Sequence, residues 1–367
     1  MKVGADIINQ NLGRPKPDHE VYWEEQKLAD LVEPLGFDSL WSVEHHFDDY
    51  TLVPDVLQYL TFMAGRTSRI QLGSAVVVLP WHDPVRVAEQ IAMLDIQSRG
   101  RLLLGFGRGA AQIEYDGFRV AMDTSRARFT EAAEVVTKAL LNERFSHNGE
   151  FFQIPEMSIR PQPHTDFTGR MYGAAISPES AEIMAKLGFG VLVIPQRDWD
   201  TTAEELERYN EICRDLGKKP VKPIVGCFVY VDDTEAKAMD GARKYMGAYW
   251  QSADEHYRFS HGDHQGVKGY EYYDKMGKAS KKMGADAVND YFISFQCVGT
   301  PEMCLEKIQY IKNKVDTEHF IGIFKYGGMP MERAEENLRR FASDVMPGLH
   351  REDFRVGGDE PALAVAD

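Results

Sequence analysis

Cysteines are few in this 367-residue sequence, and basic residues are outnumbered by acidic ones. The four cysteines, Cys213, Cys227, Cys297 and Cys304, are widely spaced and include no CxxC pair, so we expect a reducing, cytoplasmic location. Lysine and arginine total 42 against 57 aspartates and glutamates, which gives a formal net charge of −15. This charge argues against a nucleic acid or an anionic membrane surface as the main partner.

Long hydrophobic runs are also missing. No window approaches about 18 uninterrupted apolar residues, so no transmembrane helix is expected. The N-terminal sequence MKVGADII becomes polar at Asn9, which is not typical of a secretory signal. Hydrophobic residues make up 43% of the chain and charged residues 27%, the balance of a soluble globular protein.

Short apolar runs alternate with longer amphipathic segments along the chain. The runs are nearly continuous, as in a parallel sheet that is covered on both faces, and we interpret them as strands. Eight strands, each followed sooner or later by a helix, favour an α/β fold of the (β/α)₈ TIM-barrel type over a doubly wound sheet. The predicted strands are Lys2–Ile8, Phe37–Val43, Ile70–Leu79, Leu102–Gly107, Arg170–Ile176, Gly190–Ile194, Pro223–Val231 and His319–Phe324.

Two stretches interrupt this alternation. Residues 142–169 are polar and rich in Phe, Pro and His, and residues 250–290 are rich in Gly, His, Tyr and Lys. Because a loop of such length inside a compact domain is usually functional, we predict a mobile, lid-like insertion at about 250–290; a surface insertion without function is the alternative. The sequence thus predicts a single domain over residues 1–349 and a disordered tail over 350–367.

Catalytic groups of a barrel collect at the carboxyl ends of its strands. Glu44, His45 and His46 follow the second predicted strand. One histidine is a candidate proton donor or acceptor, since imidazole titrates near neutral pH, and a structural histidine is the alternative. Adjacent residues of an extended chain point to opposite sides, so the two histidines are not expected to share a metal ion.

A candidate anion site follows the next strands. Arg108 lies between two glycines after the fourth predicted strand, where its guanidinium fork suits a phosphate or carboxylate. Ser177 and Ser180 open a predicted helix, whose N-terminal N–H groups favour an anion. Arg126 is a second candidate cation, or a charge on a helix surface. Together these residues predict a phosphate pocket.

Several motifs together resemble the bacterial luciferase-like flavin monooxygenases, over nearly the whole chain. They are EHHF at 44–47, the run GSAVVVLPWHDPVRVAEQIAMLDIQSRGRLLLGFGRG, SRARF, KGYEYY and SDVMP, with the later segments most similar to the luciferase α chain. The resemblance implies a (β/α)₈ barrel that binds reduced FMN from a separate reductase. It further implies reaction with O₂ to a C4a-peroxyflavin, which then oxygenates an organic substrate.

The resemblance also implies roles for individual residues. His45 matches the catalytic histidine near the flavin and the substrate. Arg108 matches the arginine that binds the FMN phosphate, with help from the positions of Arg126, Ser177 and Ser180.

Further features of the family can be carried over in the same way. The peptide between Ala75 and Val76 matches one that lies under the isoalloxazine ring and is typically cis. The segment after Trp250 matches a mobile loop that closes over the site. The family implies a homodimer through the helices predicted at Pro54–Gly65 and Pro84–Ser98. Gly107 replaces the reactive cysteine of luciferase α, so neither light emission nor an aldehyde substrate is implied.

The sequence therefore predicts an FMNH₂-dependent monooxygenase that acts on a small, rather apolar organic substrate. Hydroxylation, epoxidation and Baeyer–Villiger insertion all stay open. Two alternatives belong to other classes: an F420-dependent oxidoreductase that transfers hydride in the same type of barrel, and a non-catalytic flavin-binding protein.

Overall fold

The computed structural model describes residues 1–174 and 178–351. Within these residues, eight parallel strands close into a ring, as predicted. In chain order the strands are β1 (Lys2–Ile7), β2 (Ser39–Ser42), β3 (Gln71–Ser74), β4 (Val77–Val78), β5 (Leu102–Gly107), β6 (Phe145–Asn148), β7 (Gln153–Met157), β8 (Met171–Ala174), β9 (Gly190–Val193), β10 (Ile224–Val231), β11 (Cys297–Gly299) and β12 (His319–Ile323). The ring runs β1-β2-β3-β5-β8-β9-β10-β12 and returns to β1.

Helices surround this ring, so the fold is the predicted TIM barrel. They are α1 (Asp18–Val32), α2 (Val56–Arg66), α3 (Pro84–Gln97), α4 (Gln112–Phe118), α5 (Ser125–Leu141), α6 (Pro178–Leu187), α7 (Trp199–Asp215), α8 (Glu235–Tyr257), α9 (Glu271–Met283), α10 (Ala285–Ser294), α11 (Pro301–Val315), α12 (Met331–Arg340) and α13 (Met346–Leu349). No helix of the described residues is both long and apolar enough to cross a membrane.

The alternation of side chains along each strand separates two cores. On β1, Val3, Ala5 and Ile7 pack outward against the helices, whereas Gly4 and Asp6 face the barrel interior. The lower interior is filled by large side chains around Trp41. A Cβ on Gly4 would lie 2.9 Å from this indole, so the glycine makes room for the ring.

The third predicted strand, Ile70–Leu79, is not one strand. The structure divides it into β3, which continues the ring, and the short β4, which pairs with β5. The peptide bond between Ala75 and Val76 at the break is cis, as the resemblance implies. The sequence does not reveal the division between β3 and β4, because the residues on both sides of the break are of similar types.

The predicted loop at 250–290 is largely helical, so that expectation is wrong in its secondary structure. Helix α8 continues into this segment as far as Tyr257, and α9 and α10 follow. We call residues 250–294 the cover, because they lie over the carboxyl ends of the strands. The first interruption also contains structure, the antiparallel hairpin of β6 and β7. Most of the predicted tail, from residue 352, lies outside the described residues.

Candidate functional site

A cavity of about 240 Å³ lies at the carboxyl ends of the strands, between the barrel and the cover. Barrel residues form its floor and one wall, and aromatic side chains of α8 and the cover form much of the rest. It contains the described residues predicted for the site, which are His45, Ala75, Val76, Arg108, Arg126 and Ser180. Ser177 lies outside the described residues.

His45 projects into this cavity from the loop after β2. Its Nδ1 lies 3.1 Å from Oε1 of Glu114, and its Nε2 lies 3.2 Å from the hydroxyl of Tyr257. An ionised carboxylate can only accept hydrogen bonds, so the proton of the neutral imidazole belongs on Nδ1. Nε2 then faces the cavity side as an acceptor, and its lone pair receives the hydrogen bond of the Tyr257 hydroxyl.

Glu114, on α4, connects His45 to a second histidine of the cover. Nε2 of His256 lies 3.5 Å from Oε1 of Glu114, and its Nδ1 lies 2.5 Å from Oδ2 of Asp48. Burial opposes charge on both groups, but their mutual attraction and hydrogen bonds outweigh it. The pKa of Glu114 is held at about 2 by His45 and His256, and that of His256 is raised to about 9 by Asp48 and Glu114. The cover therefore carries a buried positive charge at neutral pH.

His46 points to the other side of the chain, as expected for adjacent residues. Its Nε2 lies 3.2 Å from Oε1 of Glu44, which His82 Nε2 approaches at 2.6 Å. The second oxygen of Glu44 accepts the backbone N–H of Val78. Although burial favours the neutral acid, these hydrogen bonds lower the pKa of Glu44. This network fixes the loop after β2 against β4 and thereby orients His45.

Arg108 and Arg126, two residues of the predicted phosphate pocket, converge on one point. An Nη atom of each donates to the backbone oxygen of Gly269 in the cover. The N–O distance is 2.8 Å for Arg108 and 3.3 Å for Arg126. The Arg108 guanidinium also stacks on the ring of Tyr270, 4.1 Å from its centre. Glu179 lies 3.9 Å from Arg126, and Glu271 is close enough for both arginines to lower the pKa of its carboxyl. Two guanidinium groups that share one carbonyl oxygen are nevertheless donors that an anion could use.

His45, Glu114 and His256 are of metal-ligating types, and their ligand atoms lie within 4.8 Å of one another. The contacts of Glu114 with the two imidazoles are accounted for by hydrogen bonding and ion pairing. We assign no metal to this cluster.

The sequence interpretation missed Glu114, His256 and Tyr257, all of which surround His45. Glu114 lies in a short helix whose role depends on where the chain folds back. His256 and Tyr257 lie in the segment that was interpreted as a loop. The one sequence feature that could have identified His256 and Tyr257 as site residues is that they are adjacent polar aromatics. Only the fold places them beside His45.

Proteins of known activity resemble this chain over most of its length. It is 28% identical over 328 residues to an alkanal monooxygenase alpha chain of a Kryptophanaron alfredi symbiont, covering 88% of this chain and 91% of the relative. It is 27% identical over 368 residues to the oxygenase component of a flavin-dependent trigonelline monooxygenase from Acinetobacter baylyi, covering 95% and 96%.

Solved structures share the fold. The monooxygenase RslO1 from Streptomyces bottropensis superposes with a TM-score of 0.78 at 25% identity, covering 95% of this chain and 99% of that one. An F420-dependent secondary alcohol dehydrogenase has the same fold, with a TM-score of 0.70 at 15% identity and coverage of 95% and 99%. The model of the luciferase-like monooxygenases matches residues 1–318. This protein therefore belongs to the luciferase-like monooxygenase family of oxidoreductases.

Proposed function

We propose that this protein is the oxygenase of a two-component system and that it uses reduced FMN and O₂ to oxygenate a small organic substrate. The observation that carries the proposal is the arrangement of one cavity. Arg108 and Arg126 converge at one side of it, and His45, held by Glu114, faces it from another. An anion site beside a positioned imidazole suits a phosphate-bearing cofactor and a proton transfer.

The residues present fit FMN in the chemistry of their donors. A phosphate dianion between Arg108 and Arg126 would replace the backbone oxygen of Gly269 as the acceptor for both guanidinium groups. Ser180 lines the cavity in the first turn of α6, where N-terminal N–H groups also favour an anion. Ser177 is proposed as a further phosphate ligand on the strength of the family motif.

The flat part of the cofactor needs a wall without bulky side chains. Ala75 and Val76 border the cavity at the break between β3 and β4, and Gly107 and Gly109 flank Arg108 on the same side. We propose that the ring system lies against this wall. Reduced FMN, when bound, supplies the two electrons that O₂ activation requires.

His45 is proposed to move the proton. Glu114 holds its Nδ1–H, so Nε2 is the atom that exchanges a proton with the oxygen species or the substrate. Tyr257 contacts this nitrogen from the cover and either yields its place to the substrate or transmits the proton through its hydroxyl.

The cover is proposed to exclude water during the reaction. His256 and Tyr257 at the end of α8 and Gly269 before α9 all contact groups at the barrel mouth. Exclusion of water protects a reactive oxygen species from unproductive loss as H₂O₂. The segment around Gly269 must shift when a phosphate binds, so this part of the cover is the one that moves.

Partner proteins follow from the same proposal. A system in which the flavin is reduced elsewhere needs a separate reductase that supplies FMNH₂.

A homodimer is proposed through α2 and α3, which pack side by side and expose Phe62, Met93 and Ile96. Sedimentation of the wild type and of a Phe62→Glu variant tests this, since the variant should dissociate at concentrations where the wild type is dimeric.

One experiment separates the three functions considered. The purified protein is supplied with NADH, a flavin reductase, FMN and a panel of aromatic and aliphatic substrates, and O₂ uptake and oxygenated product are measured together. Product in proportion to O₂ supports the monooxygenase. Substrate oxidation without O₂ when F420 is supplied would instead establish hydride transfer. FMN binding without turnover of any kind would leave a flavin-binding protein.

A further inference from the structure

A carboxyl group at the floor of the cavity has no role in the arrangement described above. Asp6 lies near the carboxyl end of β1, where it pairs in register with Trp41 of β2 and Ile323 of β12. Its side chain faces the barrel interior and lines the cavity, and the residue is 5% exposed. Within the described residues, Oδ1 of Asp6 is buried and has no hydrogen-bonding partner.

Three other buried glutamates are each paired with imidazoles or with a lysine, although Oε2 of Glu114 is, like Oδ1 of Asp6, buried without a hydrogen-bonding partner in the described residues. Glu44 receives hydrogen bonds from two imidazoles and a backbone N–H, and Oε1 of Glu114 is in contact with two imidazoles and a backbone N–H. Glu25 is paired with Lys325 at 2.8 Å. A buried carboxyl without a donor is costly, because the lost hydration is not replaced. Among these four carboxyl groups, Asp6 alone has no imidazole or lysine partner within the described residues, so a ligand is the source left for its missing donor.

The surroundings of Asp6 indicate which ligand this is. Around the ring, Arg108 at the end of β5 is three strands from β1, so the anion site lies on nearly the opposite wall. On the side of Asp6 the cavity is lined by Ile323 and by the aromatic residues Phe228 and Tyr249. The Tyr249 hydroxyl is already hydrogen-bonded to that of Tyr50 at 2.5 Å. Asp6 thus lies in the apolar, aromatic part of the cavity, away from the phosphate pocket.

We propose that Asp6 is a specificity-determining residue that accepts a hydrogen bond from the substrate, and that the substrate is an aromatic compound bearing a hydroxyl group. This inference rests on the proposed function, because it assumes that the cofactor occupies the side of Arg108. An aromatic ring fits against Phe228 and Tyr249, and its hydroxyl supplies the donor that Oδ1 lacks. A hydrocarbon chain or an aliphatic aldehyde has no donor and would leave the ionised carboxylate unpaired, so such substrates are discriminated against when Asp6 is ionised.

The acidity of Asp6 is consistent with this role. Burial raises the pKa of its carboxyl to about 7, against a smaller opposing effect of the Ile7 backbone N–H. A carboxylate with this raised pKa is a better acceptor for a phenolic proton than a freely solvated aspartate is. Thr51 is a second cavity-lining residue whose hydroxyl lacks a partner in the described structure, and it provides a matched control.

The test compares two aromatic probes of nearly equal size, 1-naphthol and 1-fluoronaphthalene, of which only the first is a donor. Their dissociation constants are measured by equilibrium dialysis against the full chain saturated with FMN. Four proteins are compared: the wild type, Asp6→Leu, Asp6→Asn and Thr51→Val. FMN affinity of each is measured separately by fluorescence quenching, and circular dichroism checks the fold.

The wild type is expected to prefer 1-naphthol by about tenfold or more, as for a hydrogen bond to a charged group. Asp6→Leu should reduce this preference to less than about twofold, while Asp6→Asn, which keeps one acceptor oxygen, should retain part of it. Thr51→Val should keep the preference. If Asp6→Leu does not fold, the partial loss in Asp6→Asn is the deciding result.

Three results would overturn the proposal: no preference in the wild type, an undiminished preference in both Asp6 variants, or a preference lost in Thr51→Val instead. A tenfold loss of FMN affinity in Asp6→Leu with the naphthol preference intact would also overturn it, by placing the carboxyl against the cofactor. Failure of the wild type to bind FMN at all would contradict the proposed function, and dialysis without FMN would then still measure the preference.

Discussion

The barrel mouth and the cover contribute to the same cavity in different ways. Polar groups of the barrel mouth are held by other barrel groups, as Glu44 is held by His46, His82 and the Val78 N–H. Two polar groups of the cover instead contact residues that are proposed to meet ligands. Tyr257 contacts His45, and the Gly269 oxygen contacts Arg108.

This difference indicates a division of work between the two regions. The barrel fixes its reactive groups whether or not a ligand is bound. The contacts of Tyr257 and Gly269 satisfy barrel groups that a ligand is proposed to satisfy, so these two contacts and the ligand exchange places. Substitutions in the barrel should therefore abolish steps of the reaction, whereas substitutions in the cover should alter efficiency and stability.

The largest difference is expected between His45→Ala and Tyr257→Phe. Loss of the imidazole should reduce product formation by about 10²-fold or more, because general acid–base catalysis is lost, while FMN binding is spared and H₂O₂ replaces product. Tyr257→Phe removes only the hydroxyl from the cover and should change product yield by less than about fivefold. Product and H₂O₂ are measured at equal O₂ uptake. Equal losses in the two variants would contradict the division between barrel and cover.

Arg108→Ala should be the next most severe change, now in binding. Loss of a charge-assisted phosphate contact should weaken reduced FMN binding by about 10- to 100-fold, with the fold intact. Arg144→Ala is the matched control, since Arg144 is an exposed arginine that pairs with Glu156 of β7 and does not line the cavity. Anaerobic titration of both variants decides the matter. An unchanged affinity in Arg108→Ala would show that the phosphate binds elsewhere.

His256→Asn tests the anchoring of the cover through the pH dependence of stability. The pKa of His256 is about 9 in the folded protein against 6.5 in the unfolded chain. Its stabilisation is therefore complete below pH 6.5 and is lost as the pH rises through 9. The variant should be less stable than the wild type by about 2–4 kcal/mol at pH 6, since two carboxylates lose their partner, and the difference should shrink above pH 9. Urea unfolding at several pH values measures it. A difference in the free energy of unfolding that does not change with pH would contradict the pairing of His256 with Asp48 and Glu114.

Asp6→Asn tests the barrel floor over a different pH range and is expected to have the smallest effect on the folded protein. The pKa of Asp6 is about 7 when folded against 3.8 when unfolded, so the wild type loses stability as the pH rises from 3.8 through 7. The variant has no such loss. It should match the wild type near pH 4 and exceed it by about 1–4 kcal/mol at pH 8. Thermal or urea unfolding at both pH values measures the difference in stability. If Asp6→Asn stabilised the protein more at pH 4 than at pH 8, the raised pKa of Asp6 would be contradicted.

The barrel could be predicted from the sequence because its signals are local. The run Leu102–Gly107 was predicted with the bounds that the structure gives β5, since a continuous apolar run is a specific pattern. The positions of His45 and Arg108 at strand ends follow from the rule that barrels carry their sites there.

The cover could not be predicted because its order depends on distant contacts. Residues 250–257 contain few apolar side chains, and their helix is held in place by His256 with Asp48 and by Tyr257 with His45, from parts of the chain about two hundred residues away. The unpaired carboxyl of Asp6 was equally hidden, since a single acidic residue in an apolar strand gives no sign of which partners it lacks. Such features arise from burial in three dimensions, which composition does not record.

The most direct test of the proposed function is rapid mixing of the full-length protein, loaded with reduced FMN, with oxygenated buffer while the absorbance is recorded. We expect a flavin–oxygen species that persists far longer than with free FMNH₂, decays faster when a hydroxylated aromatic substrate is present, and is short-lived in His45→Ala or Arg108→Ala. Direct return to oxidised FMN at the rate of the free flavin would contradict the proposal that this cavity activates oxygen.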